Sequence, residues 1–258
     1  MSLASNPPQI ITPAWPVSDT IQSLSTTRKG GVSQSPYDEL NLATHVNDNP
    51  ADVKKNRSRL KAHCRLPDEP VWLEQIHSDK VVRLTAQNVR QTLVADASYT
   101  TDKNIICTVM TADCVPVLFC NKQATWVAAA HAGWKGIANG ILKKVLQIYS
   151  EEMEADLADV QVWIGPAISG KVYEVGREVK DAFVHQDAVL EQAFTIQDTN
   201  HYLLNSSYAV QLQLIESGIT ENQVSSEDFC TYQDAERFYS YRRDGISTGR
   251  MATMIWLQ

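Results

Sequence analysis

Three short segments carry residue types that could do chemistry. "WLEQIHSDKV" places His77 after an apolar run and before a polar turn. "VMTADCVPVLF" sets Asp113 and Cys114 between two apolar runs, and "AAAHAGWKG" ends a third such run on His131. Small or polar neighbours let the backbone turn at each point, so the three side chains could face one cleft. Two imidazoles and a thiolate form a good ligand set for zinc. Three protein ligands leave a fourth position for water, whose proton the metal makes easier to lose. The gaps of 37 and 17 residues match no local metal motif. Pattern alone favours a plainer reading, in which Cys114 is a small core residue and each histidine a satisfied strand end. A reading without metal pairs Cys114 as nucleophile with His131 as its base. A helix starting near Gly136 would then lower the thiol pKa, and Asp113 would either orient the histidine or cap a turn.

Anion-binding features lie elsewhere in the chain. "TTRKGGVS" flanks two glycines with Arg28 and Lys29, and "SYRRDG" offers Arg242 and Arg243. On a strand those two arginines point to opposite faces, one toward a cleft and one toward solvent. Lys135 falls in the first turn of the helix after His131, where phosphate is favoured. There is no P-loop and no dinucleotide fingerprint.

The elements that must position these residues read as mixed α and β. Strands are expected over 21–27, 71–76, 80–84, 105–110, 115–120, 125–130 and 160–166, from their β-branched and aromatic content. "DNPADVKKNRSRLKAHC" reads as a helix with Asp48 or Asn49 as its cap. Ile137, Ile141, Val145 and Ile148 recur at helical spacing after His131. "GREVKDAFVHQ" and "NSSYAVQLQLIESG" read as two more helices. "FYSYRR" and "RMATMIWL" read as closing strands around "DGISTG". No repeat or linker divides the chain, so one domain over 21–258 is expected, preceded by a partly disordered segment over 1–20.

The bulk numbers bound the function. With 258 residues and 43% hydrophobic content the chain can bury a sizeable core. A net charge of −7 argues against a nucleic-acid partner, which needs a broad basic face, yet leaves room for a local anion pocket. The five cysteines, Cys64, Cys107, Cys114, Cys120 and Cys230, show no C-x-x-C spacing and are expected to be reduced thiols. No apolar run is long enough to span a bilayer, and no leader is seen, so a cytoplasmic location is expected.

Taken together, "RKGGVSQSPYDELNLATHVNDNPADVKKNR", "WLEQIHSDKVV", "VMTADCVPVLF", "AAAHAGWKGIANGIL", "WIGPAISGKVYEVGREV" and "FYSYRRDGISTGRMATMIWL" resemble the YfiH-type family. Its members are also called laccase-domain, polyphenol oxidase family or peptidoglycan editing proteins. The resemblance runs from about Ile21 to the end. It implies an α+β fold, a four-layer α/β/β/α sandwich of two packed mixed sheets. It implies metal ligands at His77, Cys114 and His131, with Zn2+ or Cu2+ as the ion. It implies that Asn41 and His45, in "LNLATHVND", line the same pocket as Arg28, Lys135 and Arg242 or Arg243. Ala43 and Asn47 stand where many relatives have glycine, and Lys135 where arginine is commoner.

Several activities follow from that resemblance. One is purine nucleoside phosphorolysis, in which adenosine, inosine or methylthioadenosine and phosphate give the free base and ribose 1-phosphate. Others are adenosine deamination, hydrolytic editing of peptidoglycan precursors, and copper-dependent phenol oxidation. Six histidines are too few for an ordinary multicopper set. The zinc-deaminase signature H-x-E with P-C-x-x-C is absent. Phosphorolysis by a metal-bearing enzyme is therefore the leading expectation, with deamination beside it.

Overall fold

Seven consecutive residues, Val115–Asn121, are buried. A strand that hides every side chain needs a cover on each face. The structure, a computed structural model, describes residues 6–258 and supplies both covers.

In chain order the elements are β1 (Ile10–Ile11), β2 (Ile21–Thr26), α1 (Pro50–Cys64), β3 (Val71–Trp72), β4 (Val81–Arg83), β5 (Ala97–Thr100), β6 (Cys107–Thr111), β7 (Val115–Asn121) and β8 (Val127–Ala132). There follow α2 (Trp134–Ala138), α3 (Ile141–Met153), β9 (Val160–Ile164), β10 (Glu174–Gly176), α4 (Arg177–Gln186), β11 (Phe194–Ile196) and β12 (His201–Leu204). The last are α5 (Ser206–Glu216), β13 (Val224–Ser226), α6 (Tyr241–Asp244) and β14 (Met251–Leu257).

Two large mixed sheets stack. One has the order β1-β2-β14-β6-β3, the other β13-β9-β7-β8-β5-β4. The period of two along each strand sorts the core. From β7, Leu118 and Cys120 meet Val109, Ile255 and Leu257 of the facing sheet. Val117 and Phe119 point the other way, onto Ile141, Leu142 and Val145 of α3. On the far side of the first sheet, Leu24, Met254 and Trp256 pack with Leu60 of α1. The layers therefore run α, β, β, α, as the resemblance implies. A small sheet, β10-β12-β11, joins the helical side. No helix among the described residues is long and apolar enough to cross a membrane.

Local chemistry explains most boundaries. The Asn49 side chain accepts from Ala51 N, and so it, rather than Asp48, caps α1. The pattern from Ile137 to Ile148 is not one helix. It is interrupted at Gly140, whose φ of 80° ends α2 and begins α3. Asn47 has φ 66°, a left-handed conformation that asparagine accepts more readily than most residues with a side chain. "FYSYRR" is not a strand. Ser240 accepts from Arg243 N and starts the single turn of α6. Of the segment 1–20, residues 1–5 lie outside the described residues, while Ile10 and Ile11 pair with Thr26 and Ser25 of β2.

Candidate metal centre and active-site cavity

The antiparallel ladder between β7 and β8 sets two of the three donors. Pro116 lies opposite His131 and Val115 opposite Ala132, so Cys114 and His131 share the open end of one hairpin. Cys114 follows a tight turn at Asp113, whose φ of 93° is strained for a residue with a side chain. The Asp113 carboxylate holds that turn. It accepts from Thr231 Oγ1 at 2.6 Å, Ser240 Oγ at 3.0 Å and Arg242 N at 2.7 Å. This secures the C-terminal loop and α6 beside the cysteine. Asp113 does not orient the histidine.

Asp96 does that work. It lies just before β5 and is fully buried. Its Oδ1 bonds His131 Nδ1 at 2.8 Å, which leaves Nε2 as the ring nitrogen that turns to Cys114. The same carboxylate accepts three consecutive backbone N–H groups, those of Ile76, His77 and Ser78, at 3.2, 3.0 and 2.7 Å. Ser78 Oγ adds a fourth donor from that loop at 2.8 Å. The turn that results puts His77 at φ 59°. One carboxylate thus fastens both imidazoles, one by its ring and one by its backbone.

The donor atoms of His77, Cys114 and His131 all lie within 4.8 Å of one another. The two rings meet edge to face, with centroids 4.8 Å apart. Exposure grades from buried His131 through Cys114 to exposed His77, so the cluster opens to solvent on one side. Gly133 forms its floor. A Cβ there would stand 3.0 Å from His77 Cδ2, 3.4 Å from Cys114 Sγ and 3.5 Å from His131 Cε1. Two imidazoles and a sulfur around a space that a methyl group would fill suit one zinc or copper ion.

The charges agree with that chemistry. Burial would raise the Cys114 thiol pKa, but His131 and His77 overcome it and hold the thiol below its ordinary value. Burial opposes a charged His131, yet the Cys114 thiolate and Asp96 raise its pKa. Burial also works against the Asp96 charge, and the hydrogen bonds from His131 and Ser78 still bring its pKa down to about 2.

The cluster forms one wall of a cavity of about 580 Å³. His45, Lys135 and Arg242 line it, together with Tyr173, Tyr241 and Arg250. Other residues singled out in the sequence lie elsewhere. Asn41 is buried behind the wall, where its Oδ1 accepts from Ala43 N and Arg250 N, both at 3.0 Å. Arg28 is outside the cavity. It stacks on the Tyr239 ring and donates to Asp38 and Ala235 carbonyls. Arg243 turns neither to the cavity nor to solvent, because its guanidinium donates to the carbonyls of Thr231, Tyr232 and Phe238. Asp96, Tyr173 and Arg250 escaped the sequence reading. An acid inside the apolar run "LVADASYT" is the one signal that could have marked Asp96.

The family described as multi-copper polyphenol oxidoreductase laccase matches residues 22–258. The chain belongs to this family. It is similar to a Shigella flexneri protein named purine nucleoside phosphorylase YfiH, 45% identical over 249 residues that cover 96% of this chain and 99% of that one. A protein of the same name from Escherichia coli strain K12 is 46% identical over equal coverage. A crystal structure of a Neisseria meningitidis protein superimposes with a TM-score of 0.89 at 40% identity, covering 96% of this chain and 99% of its own. The fold and the family implied by the sequence motifs are thus both found.

Proposed function

We propose that the chain is a metal-dependent purine nucleoside phosphorylase acting on adenosine, inosine or methylthioadenosine. The observation that carries this reading is the shared cavity. It sets the His77–Cys114–His131 cluster against Lys135, Arg242 and Arg250, none of which pairs with a carboxylate among the described residues. A volume of about 580 Å³ suits a small-molecule ligand. The names of the relatives above support the same reaction.

In phosphorolysis the bond from C1′ to the base nitrogen breaks, a bond from C1′ to a phosphate oxygen forms, and the departing base takes a proton. A zinc ion held by His77, Cys114 and His131 would supply Lewis acidity toward a polar atom of the substrates. Asp96 keeps His131 in the tautomer whose Nε2 faces the cluster. The cavity cations offset the phosphate charge. Tyr173 offers a hydroxyl with no hydrogen-bond partner among the described residues, and burial pushes its pKa up to about 12, so it carries a proton that it can share with the base. Five free cysteines and small phosphorylated products suit the cytoplasm.

Purified protein with inosine and phosphate should yield hypoxanthine and ribose 1-phosphate, and Cys114→Ala protein should not. With adenosine, adenine reports phosphorolysis and inosine reports deamination. Absence of any free base from all three nucleosides would remove the proposal.

A second reading has its own observation. The thiolate–imidazole pairing of Cys114 and His131 is also that of a cysteine hydrolase acting on a cell-wall precursor. Selective alkylation of Cys114 in protein free of metal would favour it. The family description keeps copper-dependent phenol oxidation third. It requires stoichiometric copper and oxygen uptake with a phenol.

A further inference from the structure

We infer that Arg250, with His45 beside it, forms the subsite for an inorganic phosphate anion in the cavity. The choice of phosphate rests on the nucleoside–phosphate reading above, while the anion site itself rests on the residues.

Arg250 immediately precedes β14, and its side chain is held from behind. Its Nη1 donates to Thr248 O at 2.9 Å and Gly249 O at 3.0 Å. Nε and Nη2 have no hydrogen-bond partner among the described residues. A guanidinium fixed at one corner with its remaining donors free in a cavity is ready for bidentate contact with a tetrahedral oxyanion.

The three cavity cations are not equivalent. Lys135 and Arg242 are exposed, whereas Arg250 is half-buried. Each arginine lies over a tyrosine ring, Arg242 over Tyr173 and Arg250 over Tyr241, and each donates to backbone carbonyls, so burial is what sets Arg250 apart. A charge removed from water without a paired countercharge is costly, and an anion that enters with its own charge relieves that cost. Burial already lowers the Arg250 pKa, with partial relief from Cys114 and Asp113. No carboxylate among the described residues forms an ion pair with it. Asp113 is the one carboxylate lining the cavity, and Thr231, Ser240 and Arg242 N occupy it.

Asn41 joins this site to His45. Its Oδ1 accepts from Arg250 N and Ala43 N, and its Nδ2 donates to Ala43 O at 3.1 Å and Asp48 Oδ2 at 2.9 Å. The loop that carries His45 and the strand entry that carries Arg250 therefore hang from one buried amide. Burial, then Arg250 and Arg57, disfavour a charged His45, which leaves a neutral ring able to donate one N–H. Bidentate recognition missing at Lys135 is thus available at Arg250.

The test is calorimetric titration of inorganic phosphate, and separately of inosine, into wild-type, Arg250→Gln, Arg250→Lys and Arg242→Gln proteins. Melting temperature and metal content are measured for each. Arg250→Gln should weaken phosphate about tenfold or more and leave inosine within about twofold. Arg250→Lys, which keeps the charge and a donor for the two carbonyls, should fold and lose less affinity. Arg242→Gln should weaken phosphate by under about threefold. Wild-type affinity in both Arg250 variants, loss in Arg242→Gln instead, or no phosphate binding by the wild type would overturn the inference. Phosphate binding that depends on Arg250, without release of base from any nucleoside, would leave the subsite standing and remove phosphorolysis alone.

Discussion

Asp96 Oδ1 and His131 Nδ1 are 2.8 Å apart, and both groups are buried. The contact fixes which imidazole nitrogen faces Cys114. Because the same carboxylate also folds the loop of His77, removing it should loosen two of the three proposed ligands at once. Asp96→Ala is expected to lower metal affinity about 10–100-fold. Competition with a chromophoric chelator measures this without reference to turnover. An unchanged affinity would refute the assignment.

Gly133→Ala is a sharper probe of the metal centre. Gly133 has φ −70° and ψ 161°, which alanine adopts readily, so the backbone tolerates the change. The new methyl would still meet His77 Cδ2 at 3.0 Å. The variant should melt near the wild type and bind metal about tenfold more weakly. Wild-type affinity in the same chelator competition would show that the three donors do not close on an ion beside Gly133.

Asp113 should matter for stability in a way that separates charge from backbone. Asparagine accepts its φ of 93° better than alanine does. Asp113→Ala should therefore be less stable than Asp113→Asn by about 1–3 kcal/mol in urea unfolding. Asp113→Ala should also raise KM for phosphate or nucleoside, because Arg242 N loses its acceptor, whereas asparagine keeps one oxygen that can serve it.

Asp96 also gives a pH signature. Its folded pKa, about 2, lies below its ordinary 3.8, so the unfolded chain binds the proton more readily. Its contribution is fully present above about pH 4 and fades as pH falls from there through 2. Unfolding free energies of chelated wild-type protein should drop across that window more steeply than those of Asp96→Asn. Parallel curves would show that the carboxylate is not held as described.

Each member of the triad ends or follows an apolar run, where a backbone leaves a sheet, but that pattern alone favoured satisfied core and strand-end residues, and the family resemblance was what joined the three as proposed ligands. Runs such as "VPVLFC", apolar on both faces, spoke for strands buried between layers, while the four-layer order itself came from the resemblance. Asp96 was not legible, since its role depends on a loop at 76–78 folding back onto it, a contact across roughly twenty positions. Arg250 was hidden in a strand entry whose neighbours are apolar. Arg242 and Arg243 were misjudged because "FYSYRR" has strand composition, while one serine hydroxyl suffices to start a helical turn there. The expected split between cleft and solvent does not hold: Arg242 lines the cavity, while the Arg243 guanidinium is taken up by backbone carbonyls.

The β7–β8 hairpin separates its two ends by function. Its turn, around Lys122–Ala124, lies about 20 Å from the mouth that bears Cys114 and His131, given the rise of a seven-residue strand. Residues added at that turn leave every rung of the ladder in place. A fluorophore, an affinity tag or a tether to a surface can therefore be installed there while the far end goes on working, whereas a single residue inserted within either strand would flip the sulfur or the imidazole to the wrong side of the sheet.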